Sequence, residues 1–285
     1  MGSDPDFHFA AFSFVDRITE FVPGQRARGV YAVPADIAAF PACLVAEAVG
    51  QLAAWVSMEA VAFRGRPVAA LAGETRFLAP VAPGDTLTLA ADIEHCDDEA
   101  VSYAGWAEVR GERVIELVDC FGPLLPVAEF DAPEALAARL AMLRGPGASP
   151  GRFGGIAAFA TASGAADENS RTATIEVPQA APFFADHFPR RPVFPATLLL
   201  DAAIGQALAL AAALPGWPQG AAPRVTRMTR VKVRSFTPPG ARIEFAARLQ
   251  DRTADGATIA LEARGEDHKV VATARVDVAA GDNRR

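Results

Sequence analysis

Apolar positions along the chain form two kinds of pattern, and the pair recurs in the same order twice. The stretches FPACLVAEAVGQ (40–51) and FPATLLLDAAIGQ (194–206) each pass from Phe-Pro-Ala into an apolar segment holding one carboxylate and closing on Gly-Gln. Apolar residues on nearly every face predict a helix enclosed on most sides. Downstream of each, the pattern changes to strict alternation. RFLAPVAPGDTLTLAADIE (76–94) aligns with KVRSFTPPGARIEFAARLQ (232–250), so that Pro83-Gly84 falls on Pro239-Gly240, a turn leading into a strand. Two further strands are predicted about Arg110-Gly111-Glu112, and two more about Gly265-Glu266-Asp267. QRARGVYAVP and SRTATIEVP predict a strand ahead of each helix.

Each half is therefore expected to hold one or two strands, a central apolar helix, and about three or four antiparallel strands. An apolar helix and a one-sided sheet satisfy each other if the sheet curves around the helix. Two such units in one chain predict an internal dimer whose sheets join edge to edge, which removes an exposed edge from each. The fold class is α+β. The expected organisation is a first domain over 1–130, a linker over 131–155 that begins helical and turns flexible from Gly145 to Gly155, and a second domain over 156–285.

Composition narrows the function. The chain has 285 residues and a net charge of -7, with 27 basic and 34 acidic residues, which argues against a nucleic-acid surface. Cys43, Cys96 and Cys120 are widely spaced, so neither a disulfide framework nor a metal site is expected. No nucleotide-binding glycine loop or nucleophile elbow is present. The start, MGSDPDFHF, is acidic and carries no signal segment, and Asp201, Gly205 and Gln206 interrupt the longest apolar run, so a cytoplasmic protein without a membrane span is expected. His8, His95 and His268 stand in polar or terminal contexts that predict surface positions.

One stretch carries a more specific signal. His187-Phe188-Pro189-Arg190-Arg191-Pro192-Val193-Phe194-Pro195-Ala196, followed by Asp201, resembles the signature of the hotdog-fold 3-hydroxyacyl thioester dehydratases of fatty-acid and polyketide synthesis. That pattern reads His-Phe-Pro-Gly-x-Pro-x-x-Pro-Gly, then apolar residues and a carboxylate on the central helix. FSFVDRITEFVPGQRARG (12–29) is similar to the family's opening helix and turn. The resemblance implies a double hotdog. Both family glycines are replaced in the second copy, by Arg190 and Ala196, and the first copy has Ala42 at the second position. The first copy also lacks the histidine. Val33-Pro34 stands ten residues nearer to Pro41 than Val177-Pro178 stands to Pro195, so the histidine loop is shortened away.

In this family the histidine and the carboxylate come from opposite copies. The resemblance therefore implies that His187 faces Glu47, and that Asp201 faces a copy without a histidine, as a secondary or vestigial site more structural than catalytic. An unpaired buried acid is costly, so Asp201 is expected to bond backbone amides or a Ser/Thr hydroxyl of the first copy. Dehydration needs a base for the C2 proton, which neutral imidazole supplies, and an acid for the C3 hydroxyl, which a desolvated carboxylic acid supplies. The amide of Ala196 in the first helical turn is the expected donor to the thioester oxygen. Arg190 and Arg191 are candidate contacts for a phosphopantetheine phosphate or an acidic carrier protein, or simply a solvated loop. No cofactor is implied beyond the phosphopantetheine of an acyl carrier protein or CoA that bears the substrate. Two other readings stay open: a hotdog thioesterase, and a non-catalytic acyl-binding or assembly subunit.

Overall fold

A proline starts each central helix, and a curved antiparallel sheet wraps each one. The computed structural model describes residues 9–149, 153–253 and 256–281; His8 and part of the Gly145–Gly155 stretch lie outside them. The first half contains β1 (Arg17–Val22), β2 (Arg26–Ala32), α1 (Ala42–Ala60), β3 (Gly65–Pro67), β4 (Leu71–Phe77), β5 (Thr86–Cys96), β6 (Ala100–Val109) and β7 (Glu112–Pro126). Helix α2 (Pro133–Arg144) follows. Then come β8 (Thr161–Ala166), β9 (Ser170–Glu176), α3 (Ala196–Ala213), β10 (Pro223–Val233), β11 (Arg242–Arg252), β12 (Gly256–Arg264) and β13 (Val270–Ala280).

The helices begin where φ is already set, at Pro41 (φ -58°) and Pro195 (φ -57°). α3 ends at Leu214, whose extended backbone is what a following Pro215 imposes. Leu44, Val45, Val49, Leu52, Val56 and Met58 of α1 are buried, as are Leu198, Leu199, Leu200, Ile204 and Leu210 of α3. Each such side chain contributes about 1.5–3 kcal/mol of transfer free energy. α3 is long and apolar enough to cross a membrane by composition, but here it lies within the second sheet, against β9 to β13, and touches α1.

The strands follow one order, β1-β2-β5-β6-β7-β4-β10-β13-β12-β11-β9-β8, with β3 added to the end of β7. From the centre outward the two halves match strand for strand, and β4 and β10 pair antiparallel, as a pseudo-twofold axis requires. Their register runs from Arg227 opposite Arg76 to Lys232 opposite Leu71. This is the double hotdog that the family resemblance implies, with the sheets joined edge to edge as the repeated pattern predicts. Both Pro-Gly turns form as read: Gly84 (φ 89°) and Gly240 (φ 76°) take the left-handed conformation that a type II turn demands at its third residue. Asp85 N donates to Ala82 O and Ala241 N to Pro238 O across them.

The opening segment differs from expectation. Phe12–Gly29 holds no helix: β1 and β2 pair as a hairpin turning at Pro23-Gly24. RITEFV has three β-branched residues, Ile18, Thr19 and Val22, and its backbone gains ladder partners by pairing with β2, itself paired with β5. His95 and His268 are exposed, as read.

One close approach keeps α1 on its sheet. A Cβ at Gly105 of β6 would stand 2.5 Å from Ala90 O and 2.5 Å from Val49 Cγ1. Gly105→Ala is expected to lower unfolding free energy by about 1–3 kcal/mol, as overpacking does; a denaturant titration with an unchanged midpoint would refute this contact.

Candidate active site

A cavity of about 430 Å³ lies between the halves, and its lining draws on α1, β4 and β7 of the first and on the 186–197 loop and β10 of the second. His187, Glu47 and Ala196 all line it. Asp201 is not among its lining residues. The structure thus brings together three of the residues singled out in the sequence and leaves the fourth aside.

His187 stands in the long loop between β9 and α3 and is fixed by a closed pair of bonds to one residue. Val193 N donates to His187 O at 2.9 Å, and His187 Nδ1 meets Val193 O at 2.9 Å. A carbonyl only accepts, so the neutral ring carries its proton on Nδ1 and keeps a lone pair on Nε2. The ring stacks on Phe188 (centroids 4.1 Å apart) and meets the edge of Phe12 of the first half at 5.5 Å. Burial lowers the imidazole's proton affinity; Glu47 opposes that shift and Arg66 adds to it.

Glu47 comes from α1 and is held at both oxygens. Gln51 Nε2 donates to Oε1 at 3.0 Å, and Thr197 Oγ1 of α3 donates to Oε2 at 2.9 Å. Gln51 cannot be turned the other way. Its own Oε1 accepts from Phe14 N at 2.8 Å, which leaves Nε2 facing Glu47 and Phe12 O. The first-half segment that carries Phe9 and Phe12 is gripped from the other side too: the Asp186 carboxylate, next to His187 in the chain, accepts from Phe9, Ala11 and Phe12 amides at 2.6–2.8 Å.

Asp201 repeats the Glu47 arrangement with different chemistry. Cys43 stands where Thr197 does and Glu47 where Asp201 does, each 154 residues apart in the sequence. The Cys43 thiol of the opposite helix is the group set against Asp201, and among the described residues no amide or hydroxyl is seen to bond its carboxyl. A thiol is a weak donor, so burial dominates and pushes the Asp201 carboxyl up to about 6, with the Cys43 hydrogen bond opposing.

Arg66 of β3 carries no signal in the sequence, yet it lines the cavity. Its guanidinium lies 4.2 Å from the Phe188 ring centroid and 3.6 Å from Asp131. Burial lowers its pKa to about 10, against the fields of Asp131, Glu47 and Asp186. Gln51 closes the repeated Gly-Gln motif and Asp186 directly precedes the unrepeated histidine signature, and neither pattern marks either as a site residue; Thr197 is found from its equivalence to Cys43. Arg190 and Arg191 are exposed and held by the first half, Arg190 on Ala128 O at 3.1 Å and Arg191 on Glu129 at 3.0 Å. Ala196, the first residue of α3, presents an amide of the kind that helix starts leave unbonded within the helix.

Comparison with known proteins gives a family by sequence and a fold by shape. Residues 163–275 match the family described as ApeI dehydratase. The chain is 36% identical over 121 residues to 3-hydroxyacyl-(acyl-carrier-protein) dehydratase FabZ of Geobacillus thermodenitrificans, covering 38% of this chain and 83% of the relative. Among solved structures, a Lactobacillus plantarum protein described as an oleoyl thioesterase superposes with a TM-score of 0.58 at 10% identity, covering 90% of this chain and 97% of its own. The tesB protein of Mycobacterium avium subs paratuberculosis gives 0.55 at 13%, covering 92% and 95%. At such identities the likeness speaks for the double-hotdog fold alone.

Two titrations test this geometry. His187 should titrate below the ordinary imidazole value of about 6.5, as read by NMR of the ring against pH. Its unfolded form binds the proton more readily, so stability contributed by this group is present above pH ~6.5 and is lost as pH falls. A value at or above 6.5 would contradict the burial described. Asp201 has the opposite sign. Its native carboxyl, near 6, holds a proton that the unfolded one, near 3.8, releases, so its contribution falls as pH rises from about 4 to 6. Asp201→Asn should therefore raise the melting temperature above pH ~6, with the gain shrinking towards pH ~4 and turnover near wild type. A pH-independent difference would refute the raised carboxyl.

Proposed function

This chain belongs to the hotdog-fold dehydratase family of 3-hydroxyacyl-(acyl-carrier-protein) dehydratase FabZ, and from that premise we propose that it dehydrates a 3-hydroxyacyl thioester to the 2-enoyl thioester. The substrate is carried on the phosphopantetheine of an acyl carrier protein or CoA. The observation that carries the reading is the pairing of two unlike groups from opposite halves at one cavity: an imidazole whose Nε2 is free to accept, and the Glu47 carboxyl.

The steps divide between them. His187 Nε2 takes the C2 proton, while the bond from Nδ1 to Val193 O holds the ring in the tautomer this needs and strengthens as the ring gains charge. The C2 electron pair forms the C2=C3 bond. Glu47, protonated, gives its proton to the C3 hydroxyl, which leaves as water. The Ala196 amide donates to the thioester oxygen as charge collects there, and alanine offers the same N–H as the glycine it replaces. Arg190 and Arg191, on the loop leading into the site, are proposed to meet the carrier or the phosphopantetheine phosphate. Burial of His187 keeps the imidazole neutral, the form that can act as base.

His187→Ala and Glu47→Gln should each lower turnover by roughly 10²–10⁴-fold. The assay follows hydration and dehydration of a crotonyl or longer 2-enoyl thioester by ultraviolet absorbance, beside a free-thiol assay. His187→Ala should also abolish exchange of the C2 hydrogen with solvent, which needs only the base. Thiol release without enoyl interconversion would replace this reading by a thioesterase. Tight acyl-thioester binding with no turnover would replace it by a binding subunit.

A further inference from the structure

The two partners of Glu47 differ in a way that decides where its proton sits. Gln51 meets Oε1 with an amide N–H₂ whose orientation Phe14 N enforces, and such a group only donates. An oxygen receiving from an obligate donor serves best as the carbonyl-type oxygen of a carboxylic acid, so the acidic proton belongs on Oε2. Oε2 faces the Thr197 hydroxyl at 2.9 Å, and a hydroxyl can donate or accept. Thr197 therefore suits both forms: it can accept from the acid and donate to the carboxylate. It is also a cavity-lining residue, directly after Ala196.

We propose that Thr197 is a positioning residue for the acid of this site: it keeps Oε2 of Glu47 as the proton-bearing oxygen and stabilises that oxygen as the proton leaves. The proposal rests on the dehydratase reading above. In the step, the Oε2–H bond breaks and the proton goes to the C3 hydroxyl. The C3–O bond breaks with its electron pair to release water, and the C2 proton is held on His187. Thr197 keeps its own proton throughout and turns it towards Oε2 as negative charge forms there. A hydrogen bond to a charged oxygen is stronger than one to a neutral oxygen, so the interaction grows in the transition state and its loss should appear in kcat. The same position in the other half holds Cys43 against Asp201, and a thiol cannot make the same switch with equal strength.

Removing the hydroxyl tests this against Glu47 itself. Thr197→Val keeps the side-chain shape and should lower kcat by roughly 10–100-fold, the scale of one hydrogen bond to a charged group, with KM little changed. Thr197→Ala should lose a similar factor, and Thr197→Ser should recover most of it. Exchange of the C2 hydrogen, which depends on His187 alone, should persist in the valine and alanine variants; a collapsed site would lose exchange as well. Valine and alanine variants with wild-type kcat, beside an inactive Glu47→Gln, would overturn the role of Thr197 and leave the dehydratase reading standing. A loss that serine does not reverse, or loss of exchange along with turnover, would overturn it equally. Full activity of Glu47→Gln would instead overturn the assignment of the acid.

Discussion

The antiparallel pairing of β4 with β10 sets how the two central helices face each other, and the candidate site exists only because they do. Neither half holds both groups. α1 supplies Glu47, and the loop before α3 supplies His187. A one-residue slip of β10 against β4 would turn its side chains to the wrong face relative to the first sheet, moving Met228 and Val231 out of the cavity wall. The register is supported on the open face by Glu74, which accepts from Arg76 of its own strand and Arg227 of the other half.

Around this junction the halves interlock through a few polar bonds of long reach. Asp186 grips the amides of Phe9, Ala11 and Phe12, while Gln51 grips Phe12 O and Phe14 N. The same short segment is thus tied to the neighbour of His187 and to the neighbour of Glu47. Buried polar networks that are fully bonded specify one arrangement, because each broken bond leaves a costly unpaired group. The aromatic cluster of Phe12, edge-on to His187, and Phe188, stacked on it, with Arg66 lying against Phe188, extends that restraint to the imidazole.

The pseudo-twofold axis relates the two carboxylates, but their surroundings are not equal. Glu47 meets an amide and a hydroxyl, and shares a cavity with a histidine. Asp201 meets a buried thiol, and desolvation raises its carboxyl. A duplicated unit needs only one complete site, and a second carboxylate kept without a strong donor bears the desolvation cost that a paired one escapes.

Local pattern alone determined much of this protein. Helix placement follows from apolar runs opened by Pro41 and Pro195, and both Pro-Gly turns from the left-handed φ that glycine takes readily. The cross-half placement of His187 and Glu47 was legible only through a family resemblance, since periodicity gives no distance between residues so far apart in the chain. The opening segment forms a hairpin and not the helix its resemblance implies, because whether RITEFV pairs depends on β2 and β5, not on its own composition. Tertiary structure alone decided the rest: the tautomer of His187 through Val193 O, the orientation of Gln51 through Phe14 N, and the thiol as partner of Asp201. It also decided the presence of Arg66 at the cavity, for which the sequence has no motif. Hydrogen bonds of this kind are short-ranged and directional. The sequence pattern can say that a buried carboxylate needs a partner, but only the folded chain decides which atom comes within about 3 Å of it.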